Sequence, residues 1–568
     1  MSGDFTRVLV KDSRIHAITD NIAYPVVKGA QNVSAQSFVA NSQSQSQQTF
    51  NIVLPSENTL VSREVIWKRK MRFTARATST GVGQRALNYG TECAFASFPL
   101  NQQVETCQIT LNNNTVSEQT KDSLATLLNF MSMDDMKFYS TMTPTLLDNY
   151  KFYDDGDLAN NDVLGNYTAG NFVGDEIPRG SYPITIISGN TPSTASGQDL
   201  VCVFEAEFAE PLFISPFAYS AGRYSSISAM YGLTSLNITL NLDATCKRML
   251  RRKAVPALGN YSLSIDPSFS TAEIQLMLLT PQSSDFLPQR NLLPYINLNR
   301  YTRDNFNALA VGASTTLQSP NISLSSIPDK LICVIRKKMS SQSFSDSDTF
   351  FSIKKVNITF GNQTGICSSM SQEQLFKASV SNGVNANWLQ WKGKTTVMES
   401  GANVDLFLRG SVLCLQFGKD INLQDYEASG SIGQYNLSFN VDIENNTGQN
   451  ANELEMLILL PQSGYISIER GISNTAVGLL SRSDVLETSQ GESVGYSSTM
   501  GMMGSGFLDS LKAFAKRVSP SIRKTLTAEL PSFISNPINE YAESKGYGKA
   551  GGKKGISRRI KQIDMEIE

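Results

Sequence analysis

A chain of 568 residues with 40% apolar and 18% charged residues and a net charge of −2 is globular and too long for one core, so two or three domains are expected. This composition excludes a disordered chain, and so low a charge content suits large buried or self-associating surfaces. The single histidine, His16, excludes Ser-His-Asp, Cys-His and multi-histidine metal arrangements.

The chain opens Met-Ser-Gly-Asp-Phe-Thr-Arg, without an apolar run of signal-peptide length, and nowhere do about 18 apolar residues follow one another. Synthesis in the cytosol, with no signal peptide or transmembrane segment, is the expectation. Residues 1–50 read as a polar N-terminal arm, mobile or ordered by a partner, because 42–48 is the low-complexity run Ser-Gln-Ser-Gln-Ser-Gln-Gln. From Phe50 onward, short runs rich in Val, Ile, Thr, Phe and Tyr alternate with Asn, Gly, Ser and Pro, the pattern of an all-β chain.

Three segments occur twice in the same order. Ile109-Thr-Leu-Asn-Asn-Asn-Thr115 returns as Ile358-Thr-Phe-Gly-Asn-Gln-Thr364, and Leu236-Asn-Ile-Thr-Leu-Asn-Leu-Asp243 as Tyr435-Asn-Leu-Ser-Phe-Asn-Val-Asp442. Leu278-Leu-Thr-Pro-Gln-Ser283 returns as Leu459-Leu-Pro-Gln-Ser463. One β-rich unit has been duplicated. The copies are assigned to 51–284 and 285–470.

Ile238, Leu240 and Leu242 alternate with Asn237, Thr239 and Asn241, as Leu437, Phe439 and Val441 do with Asn436, Ser438 and Asn440, so one face is core and the other polar. The apolar runs Glu273 to Leu279 and Glu453 to Leu460 follow, and each is expected to pair with the strand before it as a closing hairpin. Each unit also carries a short helix after its first matched strand. Leu124, Leu127, Leu128 and Met131 fall at i, i+3, i+4 and i+7, and Ser371 with Gln374 forms a capping-box pattern. The two helices are expected to plug equivalent places. The first copy is about 50 residues longer between matched strands, and the surplus, 153–199, reads as a surface excursion rich in Asp, Asn, Gly, Ser and Pro.

Few residues invite chemistry. The seven cysteines form no Cys-x-x-Cys pair and read as reduced, buried, small apolar residues. The Asn-x-Ser/Thr triplets at Asn237, Asn357 and Asn436 read as strand and turn residues without a secretory route. Asp154, Asp155 and Asp157 lack the alternation and closing Glu of an EF-hand and read as a solvated acidic turn. The run Gly546 to Gly555 lacks the order of a phosphate-binding loop. No catalytic residue, metal ligand or cofactor is assigned.

Beyond 470 the β pattern stops. Residues 471–505 form a linker, and 506–568 a basic amphipathic tail. Phe507, Leu508, Leu511, Phe514 and Val518 share a helical face opposite Lys512, Lys516 and Arg517, with Ser505 placed to cap the start. That face is a candidate for membrane contact or for packing on the protein itself. Lys549, Lys553, Lys554, Arg558 and Arg559 are candidates for nucleic-acid contact. Just before the helix, Met502-Met503-Gly504-Ser505-Gly506 resembles the Met/Ile/Leu-x-Gly-x-Gly site of adenovirus-type cysteine proteases, which places a cut after Ser505.

Phe98-Pro-Leu-Asn-Gln-Gln103 with Ile109 to Thr115, the run Asn357 to Ile366, Gln372-Glu-Gln-Leu-Phe376 and Pro211-Leu-Phe-Ile-Ser-Pro-Phe217 resemble the double jelly-roll major capsid proteins of the adenovirus, Polinton, adinto-like virus and virophage lineage. The resemblance covers roughly 50–470. It implies two tandem eight-stranded sandwiches with short helices, a homotrimer shaped as a pseudo-hexagonal capsomer, and an icosahedral shell of neighbouring capsomers. It further implies a vertex penton protein, minor capsid proteins, a viral cysteine protease and a place in the virion, with excursions such as 153–199 facing outward. Two other readings stay open at this point. One is an RNA-virus capsid protein with a single jelly roll and a protrusion, which often carries a basic N-terminal arm. The other is a tandem β-sandwich that binds glycans, for which only Trp67, Trp388 and Trp391 offer large aromatic rings.

Overall fold

The computed structural model describes residues 6–11, 23–28, 32–481 and Val485, apart from 133–135, 151–177, 219–228, 254–257, 281–289 and a few isolated positions. Alternation decides the first sandwich. Along Ser235–Leu242 every second side chain is buried. The strand lies between Val104–Leu111 and Gln47–Val53, so that Ile238 stands opposite both Ile109 and Phe50. Asn114–Glu118 and Ser42–Gln43 complete this five-stranded sheet. An eight-stranded sheet faces it, built around Asp199–Pro211, Ile66–Thr78 and Thr271–Thr280. Phe50, Trp67, Phe73, Ile109, Phe204, Ile238 and Ile274 share the core between them. Each such side chain contributes about 1.5–3 kcal/mol by leaving water.

The second sandwich repeats the plan. Leu437, Phe439, Val441 and Ile443 on Ile432–Glu444 are buried against Val356, Ile358 and Phe360 on Ser352–Phe360. Leu454–Glu469, Lys330–Lys337, Asn291–Arg303 and Leu413–Gln416 form the facing sheet. The duplication extends to backbone detail. Asn112 and Gly361, equivalent in the repeat, have φ of 53° and 56°, and each N–H donates to the strand that the turn faces, Ser235 O at 3.0 Å and Asn436 O at 2.9 Å. Positive φ is open to Gly and tolerated by Asn, which is why those residues hold the turns. The registers differ by two, since Ile109 faces Ile238 whereas Ile358 faces Phe439. An even slip keeps every side chain on its face.

Five expectations need correction. Residues 32–50 are sandwich strands and not an arm: Asn32–Val39 pairs along Thr271–Thr280, and the Ser/Gln run folds into a hairpin against Gln47–Val53. Alternating Ser and Gln also has a strand's period of two, and the buried Gln48 accepts a hydrogen bond from Trp67 Nε1 at 3.2 Å. The closing hairpins are absent as well. Thr271–Thr280 and Leu454–Glu469 lie in the sheets opposite Ser235–Leu242 and Ile432–Glu444. The continuous apolar run has another cause: Met456 and Ile458 face their own core, while Leu457 and Leu459 face an apolar layer with Ala125, Phe130, Ile332 and Val334. A strand buried on both faces loses its alternation.

The helices occupy different places. Thr120–Leu127 and the turn Leu128–Phe130 lie between the sandwiches, with Leu124, Leu127, Leu128 and Met131 packed beside Phe98 and Phe213. Gln372–Ser381 instead seats Leu375 and Ala378 in its own core, with both hydrogen bonds of the capping box formed. Finally, the part of 153–199 described from Pro178 onward includes Thr185–Gly189, an exposed edge strand on Asp199–Pro211. That portion extends the sheet instead of standing apart from it. Residues 153–177, with Asp154, Asp155 and Asp157, and His16 lie outside the described residues.

The molecule has two distinct ends. Ile66–Thr78 and Asp199–Pro211 pair over their whole length and overrun the upper end of the first sandwich, where Gly83 N meets Ser193 O at 2.8 Å. The Asn112 turn lies at the lower end. There the linker expected from 471 is in fact a further strand: Ile472–Val477 turns back to pair antiparallel with Leu454–Glu469 under the first sandwich, with Ser473 N donating to Asn113 Oδ1 at 2.8 Å, and Leu480 N beyond it donates to Gly430 O at 3.1 Å. No described helix is long and apolar enough to cross a membrane.

Candidate functional site

The stretch Phe98 to Gln103 is a hub. Pro99 opens a five-residue helix, Pro99–Gln103, whose residues are all buried. Leu100 N and Asn101 N each donate to the Glu210 carboxylate at 2.9 Å, joined by Asn101 Nδ2 at 2.8 Å and Thr143 Oγ1 at 2.9 Å. Burial pushes Glu210 up to about 7 against the pull of those donors. Asn101 Nδ2 also donates to Pro211 O at 3.0 Å, and Phe98 meets Phe213 edge-on at 4.9 Å. Two stretches that the sequence separates by more than a hundred residues thus form one piece.

Gln102 carries the hub to the second sandwich. Its Nε2 donates to Asp348 Oδ2 at 2.7 Å, and its Oε1 accepts from Arg248 Nη2 at 2.5 Å. Arg251 pairs with Asp348 at 2.9 Å, Asp348 N donates to Asp148 Oδ2 at 2.8 Å, and Asp148 pairs with Arg179 at 2.7 Å. Burial opposes ionisation of Asp348, but Arg251, Arg248 and Gln102 outweigh it and hold the carboxyl below its usual range. Burial lowers Arg248 to about 10. A second centre lies on the interdomain helix, where Asp122 is ion-paired with both Arg336 and Arg300, and Arg336 Nε meets Glu455 at 3.0 Å. Arg409 donates to Asn129 Oδ1 at 2.9 Å and to Asn149 Oδ1 at 2.7 Å.

The contacts of Gln102, Arg251 and Asp148 with Asp348, both ion pairs of Asp122 and both Arg409 bonds join one sandwich to the other. The apolar layer supplies burial, and the ion pairs, which demand particular angles, select one mutual orientation. The first core is also shared, because Leu293, Tyr295, Ile466 and Ile468, from strands of the second sheet system, lie in it. The site is a buried, ion-paired joint.

Two sheet faces complete the description. On the outer face of the first five-stranded sheet, Asn241 lies between Gln47 and Thr106, Thr239 between Thr49 and Gln108, and Asn237 between Asn51 and Thr110. None is charged. In the second sandwich, Asn440 lies between Gln318 and Asn357, Ser438 beside Thr359 and Asn436 beside Ser323. The Asn-x-Ser/Thr triplets are therefore strand residues. The other outer face of the first sandwich differs, with Lys68 paired to Glu207 at 2.8 Å and Arg72 to Glu205 at 2.6 Å.

The sequence-derived candidates fall elsewhere. Met502, Gly504, Ser505 and Gly506, the face Phe507, Leu508, Leu511, Phe514 and Val518, and Lys549, Lys553, Lys554, Arg558 and Arg559 all lie outside the described residues. All seven cysteines are free, six of them buried, and burial raises Cys93 and Cys246 to about 12. Such thiols are poor nucleophiles. The joint residues Asp122, Asp148, Arg248, Arg251, Arg336, Asp348 and Arg409 were not singled out from sequence. The one available signal was the run Arg248-Met-Leu-Arg-Arg-Lys253, too basic to sit buried unless paired.

Residues 3–279 match the family model for the Sputnik virophage major capsid protein first domain, and residues 298–464 match the one for the major capsid protein V20 C-terminal domain. The chain belongs to the virophage major capsid protein family. Its two halves match successive domains of such a protein, in order, with the joint between them. Along its length the chain is 28% identical to the V20 capsid protein of Sputnik virophage, an alignment that covers 96% of this chain and 95% of that one. The cryo-EM structure of Sputnik virophage contains a similar chain, with a TM-score of 0.75 at 27% identity over 87% of this chain and 96% of that one. The crystal structure of the mavirus major capsid protein shares the fold, with a TM-score of 0.65 at 15% identity over 88% of this chain and 100% of that one. A major capsid protein of double jelly-roll fold replaces the glycan-binding and RNA-virus readings.

Proposed function

We propose that three copies of this major capsid protein form a pseudo-hexagonal capsomer and that these capsomers tile an icosahedral shell. The observation that carries the reading is the buried, ion-paired joint: six sandwiches make a hexagonal outline only if the two in each chain keep a fixed angle. A penton protein fills the vertices, and minor capsid proteins bind between capsomers. The chain is made in the host cytoplasm and ends in the virion. Its role is structural, without catalysis. Electron microscopy of the expressed chain tests this, with trimers of hexagonal outline or closed shells expected. Monomers at micromolar concentration overturn it.

For the tail, the reading is release by a viral cysteine protease after Ser505. The freed segment then contacts membrane through Phe507, Leu508, Leu511, Phe514 and Val518, or the genome through Lys549, Lys553, Lys554, Arg558 and Arg559. Support comes from the Met502 to Gly506 pattern and the change to basic, amphipathic sequence behind it. Mass spectrometry of particles is expected to find a chain ending at Ser505. An intact chain ending at Glu568 removes the claim.

A further inference from the structure

Around Asp348 the charges of the joint do not balance. Arg179, Arg248 and Arg251, each less than a tenth exposed, are set among the described residues against the carboxylates of Asp148 and Asp348. Both carboxylates are fully engaged. Asp148 meets Arg179 through Oδ1 and Asp348 N through Oδ2, while Asp348 meets Arg251 through Oδ1 and Gln102 Nε2 through Oδ2. Arg248 is the cation left over. It is 6% exposed, has no ion pair among the described residues, and donates from Nη2 to the uncharged Gln102 Oε1. Its Nε and Nη1 are sealed from the surface and meet no acceptor among those residues. Beyond ion-pair range Asp348 and Asp122 attract it, but Arg251 and Arg336 repel it.

A guanidinium stays charged at neutral pH, so Arg248 cannot relieve its burial by losing a proton. A buried charge left without a counter-charge is among the most destabilising features a fold can hold. Water could accept from Nε and Nη1, but it brings no negative charge. We propose that Arg248 holds a small monovalent inorganic anion, of which chloride is the common cellular example, against Nε and Nη1. One charge matches the excess of one cation, whereas a divalent oxyanion would reverse the imbalance. Gln102 lies on the first sandwich and its partner Asp348 on the second, so an anion on Arg248 steadies the contact that orients them. The inference goes beyond the capsomer reading and does not depend on it.

The test uses the full chain at fixed ionic strength, with chloride replacing gluconate between about 1 and about 200 mM and urea unfolding as the readout. An ion that binds the folded chain alone stabilises it by mass action, so the folded-to-unfolded ratio of wild type is expected to rise about tenfold per tenfold of chloride above the dissociation constant. Bromide should act in the same way. Arg248→Met, which keeps the side chain's length but removes its charge and donors, should stay folded by circular dichroism and lose the response. Lys377→Gln, which removes an exposed cation from the helix Gln372–Ser381, should respond like wild type. Wild-type stability indifferent to chloride overturns the proposal and leaves Arg248 to water. A response that persists in folded Arg248→Met places the anion elsewhere and overturns it equally. If Arg248→Met does not fold, wild-type crystals grown in bromide decide. An anomalous peak within hydrogen-bond distance of Arg248 Nε or Nη1 supports the site, and the lack of one there sinks it.

Discussion

At Glu210 two opposing forces meet: burial favours the neutral acid, and four hydrogen-bond donors favour the anion. The outcome, about 7, lies above the roughly 4.3 of an unfolded chain. For a group raised on folding, the stabilising contribution is complete below the unfolded value and is lost as pH rises through the folded one. The melting temperature is therefore expected to fall between about pH 4.3 and about pH 7. Glu210→Gln should flatten that slope, while setting an amide donor among donors at a cost of about 1–3 kcal/mol. Thermal melts across this range decide it. An unchanged slope in the variant would show that Glu210 is not the titrating group. Asp122→Ala, which strands Arg300 and deprives Arg336 of one partner, is expected to lose about 3–5 kcal/mol in urea unfolding. None of this was legible in sequence, because Asp122 and Arg336 are 214 positions apart and no spacing rule connects them.

The elements were more readable. Alternation in Ser235–Leu242 and Ile432–Glu444 identified both strands and their inner faces, since one side chain in two must meet the core. The capping box at Ser371 was visible for the same reason, a local hydrogen-bond pattern with fixed spacing. Pairing partners were not visible. A run such as Leu454 to Leu460, buried on both sides, carries no period from which to tell one sheet from the other, and Gln48 in a low-complexity run gave no sign of its indole partner. At this scale Gly410 is the sensitive point. It has φ of 91°, and an added Cβ would lie 1.9 Å from the Phe350 carbonyl oxygen, next to Arg409 of the joint. Gly410→Ala is expected to destabilise by at least about 1–3 kcal/mol, measured by chemical denaturation, and a neutral result would show that the backbone there can relax.

For the whole molecule, the joint predicts behaviour that neither sandwich would show alone. With Leu293, Tyr295, Ile466 and Ile468 supplied to the first core by strands of the other half, residues 1–284 expressed alone are expected to be insoluble or to lack a cooperative melt. The intact chain should unfold in a single transition. Two well-separated transitions in calorimetry would contradict this. The same shared core bears on ancestry. The first copy of the duplicated unit now depends on residues contributed by the second, so deletion of the second would expose a wound that no single mutation can close. Once those strands had crossed over, the first half could no longer stand alone as a half-sized subunit.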